Sequence, residues 1–335
     1  MNHERPPLPI LSLNLAIINT DISVPIVNAA RGSYGTIFHR VLEAAALRTK
    51  SPIQINPTEF DAVNGVLPPT DPDYLTNINA ILVSGSVHTV YKSRGKDWIA
   101  RLNDFLGYVY FKHPRIRFFG SCFGHQIICQ SLLRRLGVDA NVERNPAGWE
   151  LGVHEIELTE SFRKGMGPLV TKSVDKEGLK SLKIQLVHGD HVKLPMSADG
   201  NPVLPPSWSL VGSTQKCAVQ GVYQPGRVLT FQGHFEFDGW TNAETIKVFG
   251  EHWDDAEGVA EGVRGAIDIE DDGPKIAEMA LLFLIEGRDM VRDASHVMDL
   301  GEYVQVTGNV GWVPWSRLSR LLGWFEDIMS RTSTW

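Results

Sequence analysis

Residues 117–137 read RFFGSCFGHQIICQSLLRRLG, and this stretch decides the fold. The aromatic run Phe118–Phe119 leads into Gly-Ser-Cys-Phe-Gly. Beyond it, Ile127, Ile128, Leu132, Leu133 and Leu136 recur at the three-and-four spacing of one helix face. A strand therefore hands over to a helix at Cys122. In a Gly-x-Cys-x-Gly turn the flanking glycines remove side chains that would clash in a sharp reversal, and the central residue presents its reactive atom. The helix that follows points its positive end and free N–H groups at that atom, which favours a thiolate and can stabilise an oxyanion. Arg134 and Arg135 suit the far end of such a helix, and Gly137 can stop it. The bland alternative is an inert core cysteine in a glycine-containing turn.

Short apolar runs flank this corner on both sides: residues 11–20, 80–85, 115–121, 184–189 and 227–234. Their hydrophobicity is continuous rather than alternating, as in strands covered on both faces. Helical patterns lie between them. GSYGTIFHRVLEAAAL carries Ile37, Val41, Leu42 and Leu47 behind a serine that can cap, and DWIARLNDFLGYVYF predicts a second helix. The alternation implies a doubly wound α/β fold, a mostly parallel sheet with helices on both faces, which binds ligands at the carboxyl ends of its strands. Cys122 falls at one such end. Residues 150–235 change character, with Gly, Pro and Ser between shorter runs, and predict an antiparallel flank. The acidic, glycine-rich residues 254–273 predict a solvated loop, with room for one helical turn, before the apolar helix KIAEMALLFLIEG. The domain is expected to span residues 10–287. Residues 288–335 form a C-terminal extension ending in an amphipathic helix over 316–330, with Leu318, Leu321, Leu322, Phe325, Ile328 and Met329 on one face.

Composition narrows the function. The 335 residues are 43% hydrophobic and 21% charged with a net charge of −7, which is ordinary for a soluble domain and gives no electrostatic reason to expect nucleic acid. Three cysteines, at 122, 129 and 217, make no disulfide framework and no close Cys/His zinc spacing. No apolar run is long enough for a bilayer, and the N-terminus lacks a secretory pattern. A cytoplasmic protein without metal or cofactor is expected.

A cysteine nucleophile needs a base, and usually a group to orient that base. LTFQGHFEFDGW supplies both: His234 and Glu236 are two apart, so on a strand or at its end they project to the same side. Alone, His-x-Glu is weak evidence; beside a cysteine corner it gains weight. His125 lies inside the helix start and is expected to pack rather than act as base. His188, Asp190 and His191 in HGDH have no third ligand cluster to make a metal site. Cys129 and Cys217 read as core residues.

Together GSCFGHQ, VHGDHVKLP and QGHFEFD, preceded by ILVSGSVHTVY, resemble the class I glutamine amidotransferase family, in family order and across roughly residues 10–287. GSYGTIFHRVL and GWELGVHEIEL further resemble its stand-alone branch, which includes plant γ-glutamyl peptidases. The resemblance implies a flavodoxin-like class I domain with Cys122 as nucleophile, His234 as base and Glu236 as its orienter. It also implies an oxyanion hole from the backbone of Phe123 and the Gly85–Ser86 turn, and substrate contact by Gln126. The family usually has proline after the histidine; Phe235 stands here and is expected to reshape the apolar pocket wall.

The implied activity is hydrolysis or acyl transfer at the γ-glutamyl amide bond of glutamine or of a γ-glutamyl peptide, through a thioester on Cys122. The alternatives are a glutaminase subunit feeding ammonia to a separate synthetase, and a related enzyme or inert scaffold for a non-glutamyl substrate. The expected partner is a small γ-glutamyl molecule, with no nucleic acid or membrane; a homo-oligomer or a synthetase complex remains open. The residues after 287 are too few for a synthetase, so either a separate synthetase partners the chain or it works alone, and the likeness of its motifs to free-standing γ-glutamyl hydrolases favours the second.

Overall fold

The computed structural model describes residues 11–51, 53–91, 97–170, 179–251, 253, 255–286, 303–305 and 312–314. The chain opens with β1 (Leu11–Asn19), α1 (Pro25–Arg31), α2 (Tyr34–Arg48), β2 (Ile53–Asp61), α3 (Pro72–Asn77), β3 (Ala80–Val83), α4 (Asp97–Lys112), β4 (Arg117–Ser121) and α5 (Phe123–Arg135). Strands dominate next: β5 (Asn141–Arg144), β6 (Glu150–Leu158), then α6 (Glu160–Val170), β7 (Ser181–His188), β8 (Asp190–Lys193), β9 (Ser209–Leu210), β10 (Gly212–Ser213), β11 (Val222–Gln224) and β12 (Val228–Phe231). Helices α7 (Gly239–Gly250), α8 (Ala256–Asp268) and α9 (Gly273–Ile285) follow, and then an antiparallel pair, β13 (Tyr303–Gln305) and β14 (Trp312–Pro314).

The main sheet has seven strands in the order β2-β1-β3-β4-β12-β11-β9. The first five run parallel, and β11 and β9 add an antiparallel edge. Continuous apolar strands are explained by their two covered faces. In β1, Ala16 and Ile18 face the layer of α4 and α5, whereas Leu13, Leu15 and Ile17 face the layer of α2 and α9. In β3, Ile81 and Val83 take the first side, Ala80 and Leu82 the second. Phe38, Phe119, Phe231 and Phe283 are fully buried on the α2/α9 side, where each such ring stabilises by roughly 1.5–3 kcal/mol relative to exposure. Ser33 caps α2 by accepting from the Thr36 N–H, as its sequence suggested; Leu47, placed on the apolar face, is instead 81% exposed.

Three further expectations are corrected. Residues 184–189 lie outside the parallel sheet: β7 pairs antiparallel with β6 in a separate three-stranded sheet, because its buried faces meet α7 and α9 rather than a parallel neighbour. Strand β2 carries Pro57 and broken hydrophobicity, which suits the sheet edge it occupies.

Residues 256–268, expected as loop, form a 13-residue helix that Asp255 caps. Their glycines permit close packing rather than disorder: a Cβ at Gly262 would sit 2.5 Å from Leu151 Cβ, and one at Gly152 2.8 Å from the Gly262 carbonyl oxygen. Val259, Val263 and Ala266 join the cluster beneath α8. The third, at Phe235, belongs to the site. The terminal helix expected over 316–330 lies outside the described residues; within the expected extension, the β13–β14 pair is a feature that helix spacing did not announce.

Candidate active site

Strand register brings the site together at the carboxyl ends of β3, β4 and β12. Val83 pairs with Gly120, and Phe231 with Ser121, so the residues just past these strands meet around Cys122. The corner is tight. A Cβ on Gly120 would lie 2.6 Å from the Gly124 carbonyl carbon, and one on Gly124 2.1 Å from the Val83 oxygen, so both glycines of the motif are steric requirements. Cys122 takes φ 50° and ψ −107°. A non-glycine residue in that region costs on the order of 1–3 kcal/mol and persists only where surroundings impose it. Here the Cys122 N–H donates to the Phe231 carbonyl at 2.9 Å, and α5 begins at the next residue. Helix α5 is buried all round from Phe123 to Leu133, more than its single apolar face suggested. Its polar residues are tethered: His125 Nδ1 lies 2.8 Å from Thr230 Oγ1, and Ser131 Oγ donates to the Asn103 carbonyl.

His234 and Glu236 follow β12 in a turn, not on the strand itself. The His234 N–H donates to the Gln185 carbonyl at 2.8 Å, which fixes the backbone, and His234 Nδ1 stands 2.8 Å from Glu236 Oε1. Ser121 Oγ lies 3.0 Å from the same carboxylate oxygen. Both side chains are almost wholly buried. Burial alone would push the His234 imidazole down, but the charges of Glu236 and Cys122, with hydrogen bonds to both, hold it above the usual histidine range. The ring of Phe237 stacks on His234 at 4.2 Å and 6°, and Tyr34 stacks on Phe237. Phe235 points elsewhere. Its ring packs edge-on against Phe38 and Phe119 in the α2/α9 layer, because successive residues of an extended turn face opposite sides. The expected pocket wall at Phe235 is therefore corrected: Phe237 is the ring beside the histidine.

Gly85 and Ser86 sit in the turn after β3. A Cβ at Gly85 would meet His234 Cε1 at 2.7 Å and Cys122 Cβ at 3.6 Å, so this backbone lies directly against both. Thr20 and Asp21, after β1, hold the turn. Thr20 Oγ1 donates toward the Ser84 and Gly85 carbonyls at 3.0 Å, and Asp21 Oδ2 accepts from the Val87 N–H at 2.9 Å and from Ser86 Oγ at 3.3 Å. Phe123, as the first residue of α5, carries one of the N–H groups that no helical turn satisfies. Gln126 reaches the site indirectly: its Nε2 donates to the Asp190 carbonyl and to Gln232 Oε1, both at 3.1 Å, and Gln232 Nε2 lies 3.5 Å from Cys122 Sγ.

Sequence reasoning did not single out Thr20, Asp21, Ser121 or Gln232. Each stands at the end of a parallel strand, a signal that becomes readable only once the strand order is known. The HGDH segment has a supporting place. His188 Nδ1 donates to the Asp190 carbonyl at 3.0 Å, its Nε2 lies 3.0 Å from Glu150 Oε2, and Tyr91 Oη lies 3.2 Å from Asp190 Oδ1. Among the described residues no group of three or more His, Cys, Asp or Glu is arranged to hold a metal ion, and no helix is long and apolar enough to cross a membrane. His125 is pushed down to about 3, by burial first and then by the charge of His188, so it is a neutral tether. Burial pushes the thiols of Cys129 and Cys217 up, as befits core residues.

No protein-family model matches the chain. It is 31% identical over 247 residues to a glutamine amidotransferase-like protein of Schizosaccharomyces pombe, covering 71% of this chain and 85% of that protein. It is 28% identical over 180 residues to Gamma-glutamyl peptidase 2 of Arabidopsis thaliana, covering 53% of this chain and 61% of that protein. Among solved structures, glutamine amidotransferases of Thermotoga maritima and Methylobacillus flagellatus superpose with TM-scores of 0.53 and 0.57 at 17% and 15% identity. Each alignment covers 84% of this chain, with 99% of the Thermotoga chain and 97% of the Methylobacillus chain, and establishes the fold. With the fungal relative matched over most of its length and the fold shared, the chain belongs to the class I glutamine amidotransferase-like family.

Proposed function

We propose that the chain is a cysteine-dependent hydrolase of γ-glutamyl amide bonds that works through a thioester on Cys122. The observation that carries this reading is the 2.8 Å contact of His234 Nδ1 with Glu236 Oε1 beside a cysteine held at a strand-to-helix corner. With Nδ1 committed to Glu236, the other ring nitrogen is the one that serves the thiol. It takes the thiol proton, and Sγ attacks the γ-carbonyl carbon. The oxygen that becomes negative receives the Phe123 N–H and a donor from the Gly85–Ser86 turn. His234 then gives its proton to the leaving amine as the C–N bond breaks, and the acyl group stays on sulfur. A water that has lost a proton to His234 attacks the thioester, releasing the γ-carboxylate and returning the thiol. Gln126 belongs to the glutamyl side of this pocket, and residues 10–287 are the catalytic unit.

The leaving group in this reading is a bulky amine, as in a γ-glutamyl peptide or conjugate, rather than ammonia. The similarity to Gamma-glutamyl peptidase 2 supports it. So do Ile22 and Val87, both more than half exposed, whose N–H groups bind the same Asp21 carboxylate beside the Gly85–Ser86 turn; in this reading their apolar side chains meet the leaving group. The test is glutamate release from glutamine, glutathione and a glutathione S-conjugate, measured side by side. Fastest release from the conjugate or from glutathione is expected. Fastest release from free glutamine would instead favour a glutaminase serving a separate synthetase, and no release from any, with Cys122 still alkylated, would point to a non-glutamyl substrate.

A further inference from the structure

Gln232 is fully buried and in contact with the sulfur, yet the steps above leave it without a task. Its position follows from strand register: Phe231 pairs with Ser121 across β12 and β4, so the next residue on each chain, Gln232 and Cys122, stand side by side. Its orientation is settled by a partner. Gln232 Oε1 accepts from Gln126 Nε2 at 3.1 Å, which leaves the amide nitrogen as the end that faces Cys122 Sγ at 3.5 Å. Gln126 cannot easily turn over either, because the same nitrogen also donates to the Asp190 carbonyl at 3.1 Å. That carbonyl is held in turn by His188 Nδ1 at 3.0 Å, and His188 by Glu150. The Gln232 backbone is tied as well, its N–H donating to the Gln220 carbonyl at 2.9 Å.

We propose that Gln232 is a further catalytic residue, whose carboxamide N–H stabilises the negative charge on Cys122 Sγ once the thiol proton has passed to His234. This rests on the reading of Cys122 as the nucleophile. A neutral amide suits the task because it stabilises the thiolate without adding a charge that would compete with the His234–Glu236 pair. A donor aimed at sulfur before reaction requires no reorganisation when charge develops there. The Gln126 amide, the Asp190 carbonyl and the His188–Glu150 pair act as positioning groups that keep the nitrogen, not the oxygen, toward sulfur.

The test is the pH dependence of Cys122 alkylation by iodoacetamide in the native protein, followed on the Cys122 peptide by mass spectrometry, for wild type, Gln232→Leu and Gln232→Glu. A hydrogen bond to a charged group is worth enough to move the alkylation midpoint of Gln232→Leu upward by about one pH unit, with a loss in kcat of about tenfold and a smaller change in KM. Gln232→Glu keeps the shape and polarity of the site and replaces the donor by a carboxylate, so its midpoint is expected to rise further. It also supplies the answer if the leucine variant does not fold. An unchanged alkylation profile in either folded variant would overturn the proposal, because removing a donor that stabilises the thiolate must move that profile. If the profile shifts while no γ-glutamyl amide is hydrolysed, the role of Gln232 stands and the substrate reading fails. If amides are hydrolysed and the profile does not shift, the role of Gln232 fails alone.

Discussion

Ser121 Oγ lies 3.0 Å from Glu236 Oε1, so the residue immediately before the cysteine corner holds the carboxylate that holds His234. Cys122 and His234 are thereby coupled through the end of β4. Glu236→Gln is expected to retain partial turnover, since the carboxylate orients and stabilises the imidazole without bonding to substrate. Ser121→Ala, which leaves Glu236 charged, is expected to lose less, about tenfold in kcat for one hydrogen bond to a charged group. Steady-state kinetics of both variants check the order; a larger loss in Ser121→Ala than in Glu236→Gln would contradict it.

Cys122→Ala is expected to abolish turnover and keep the fold. Cys122→Gly adds a stability readout, because φ 50° is strained for cysteine and open to glycine. Its melting temperature should be no lower than that of Cys122→Ala, although glycine ordinarily destabilises through backbone entropy. Residual turnover in either variant would remove Cys122 as nucleophile.

The buried pair of Glu150 and His188 predicts an acid-side loss of stability. Burial raises the Glu150 carboxyl, but His188 and the Thr214 hydroxyl outweigh it and hold the group below its ordinary value of 4.5. A carboxyl depressed in the folded state contributes stability above its unfolded value, and that stability is lost as pH falls through the folded one. Wild type should therefore lose urea resistance from about pH 4.5 downward. Glu150→Gln should be less stable at pH 7 and should lose less on acidification. Parallel acid curves for the two proteins would show that the pair contributes nothing to the pH dependence.

The packing of helix α8 on β6 should depend on the glycine opposite it, Gly152 of β6. Gly152 combines φ 84° with a Cβ position 2.8 Å from the Gly262 oxygen, so Gly152→Ala meets both backbone strain and overpacking, together about 2–4 kcal/mol. Thermal melts should show the drop, whereas Gly148→Ala, which shares the positive φ but has nothing within 4 Å, should lose only the strain. Equal losses would mean that α8 does not rest on this contact.

If the bulky leaving group meets Val87, which follows the Gly85–Ser86 turn, Val87→Asp is expected to lower the ratio of kcat/KM for a γ-glutamyl anilide to that for glutamine by about tenfold, since an apolar contact worth one or two methylenes is replaced by a charge. The paired assays decide it. An unchanged ratio would detach Val87 from the leaving group.

Much was legible along the chain because it is local. The corner at Cys122 announces itself through two glycines and a helix period, and the paired placement of His234 and Glu236 through a spacing of two; both survive folding, with His234 on Glu236 at 2.8 Å. Helices α2, α4, α5 and α9 were readable from side-chain periodicity, which a short window contains. The loop expected over 254–273 was not, because its glycines signal disorder by composition and become an asset only when Leu151 and Gly152 are opposite them. The wall expected at Phe235 failed for a similar reason. Which side a turn residue faces depends on the layer beneath it, here Phe38 and Phe119.

The sequence by itself determined the α/β alternation, the residue types able to do acyl chemistry, and the corner that presents Cys122, since these depend on neighbours a few positions apart. Only the tertiary structure decided that β7 leaves the parallel sheet, that Asp21 holds the Gly85–Ser86 turn, and that Gln232 turns its nitrogen toward Cys122 Sγ. These arrangements join residues as much as 110 positions apart. They follow from strand order and register, which are settled by the packing of the whole core and leave no trace in any short stretch of chain.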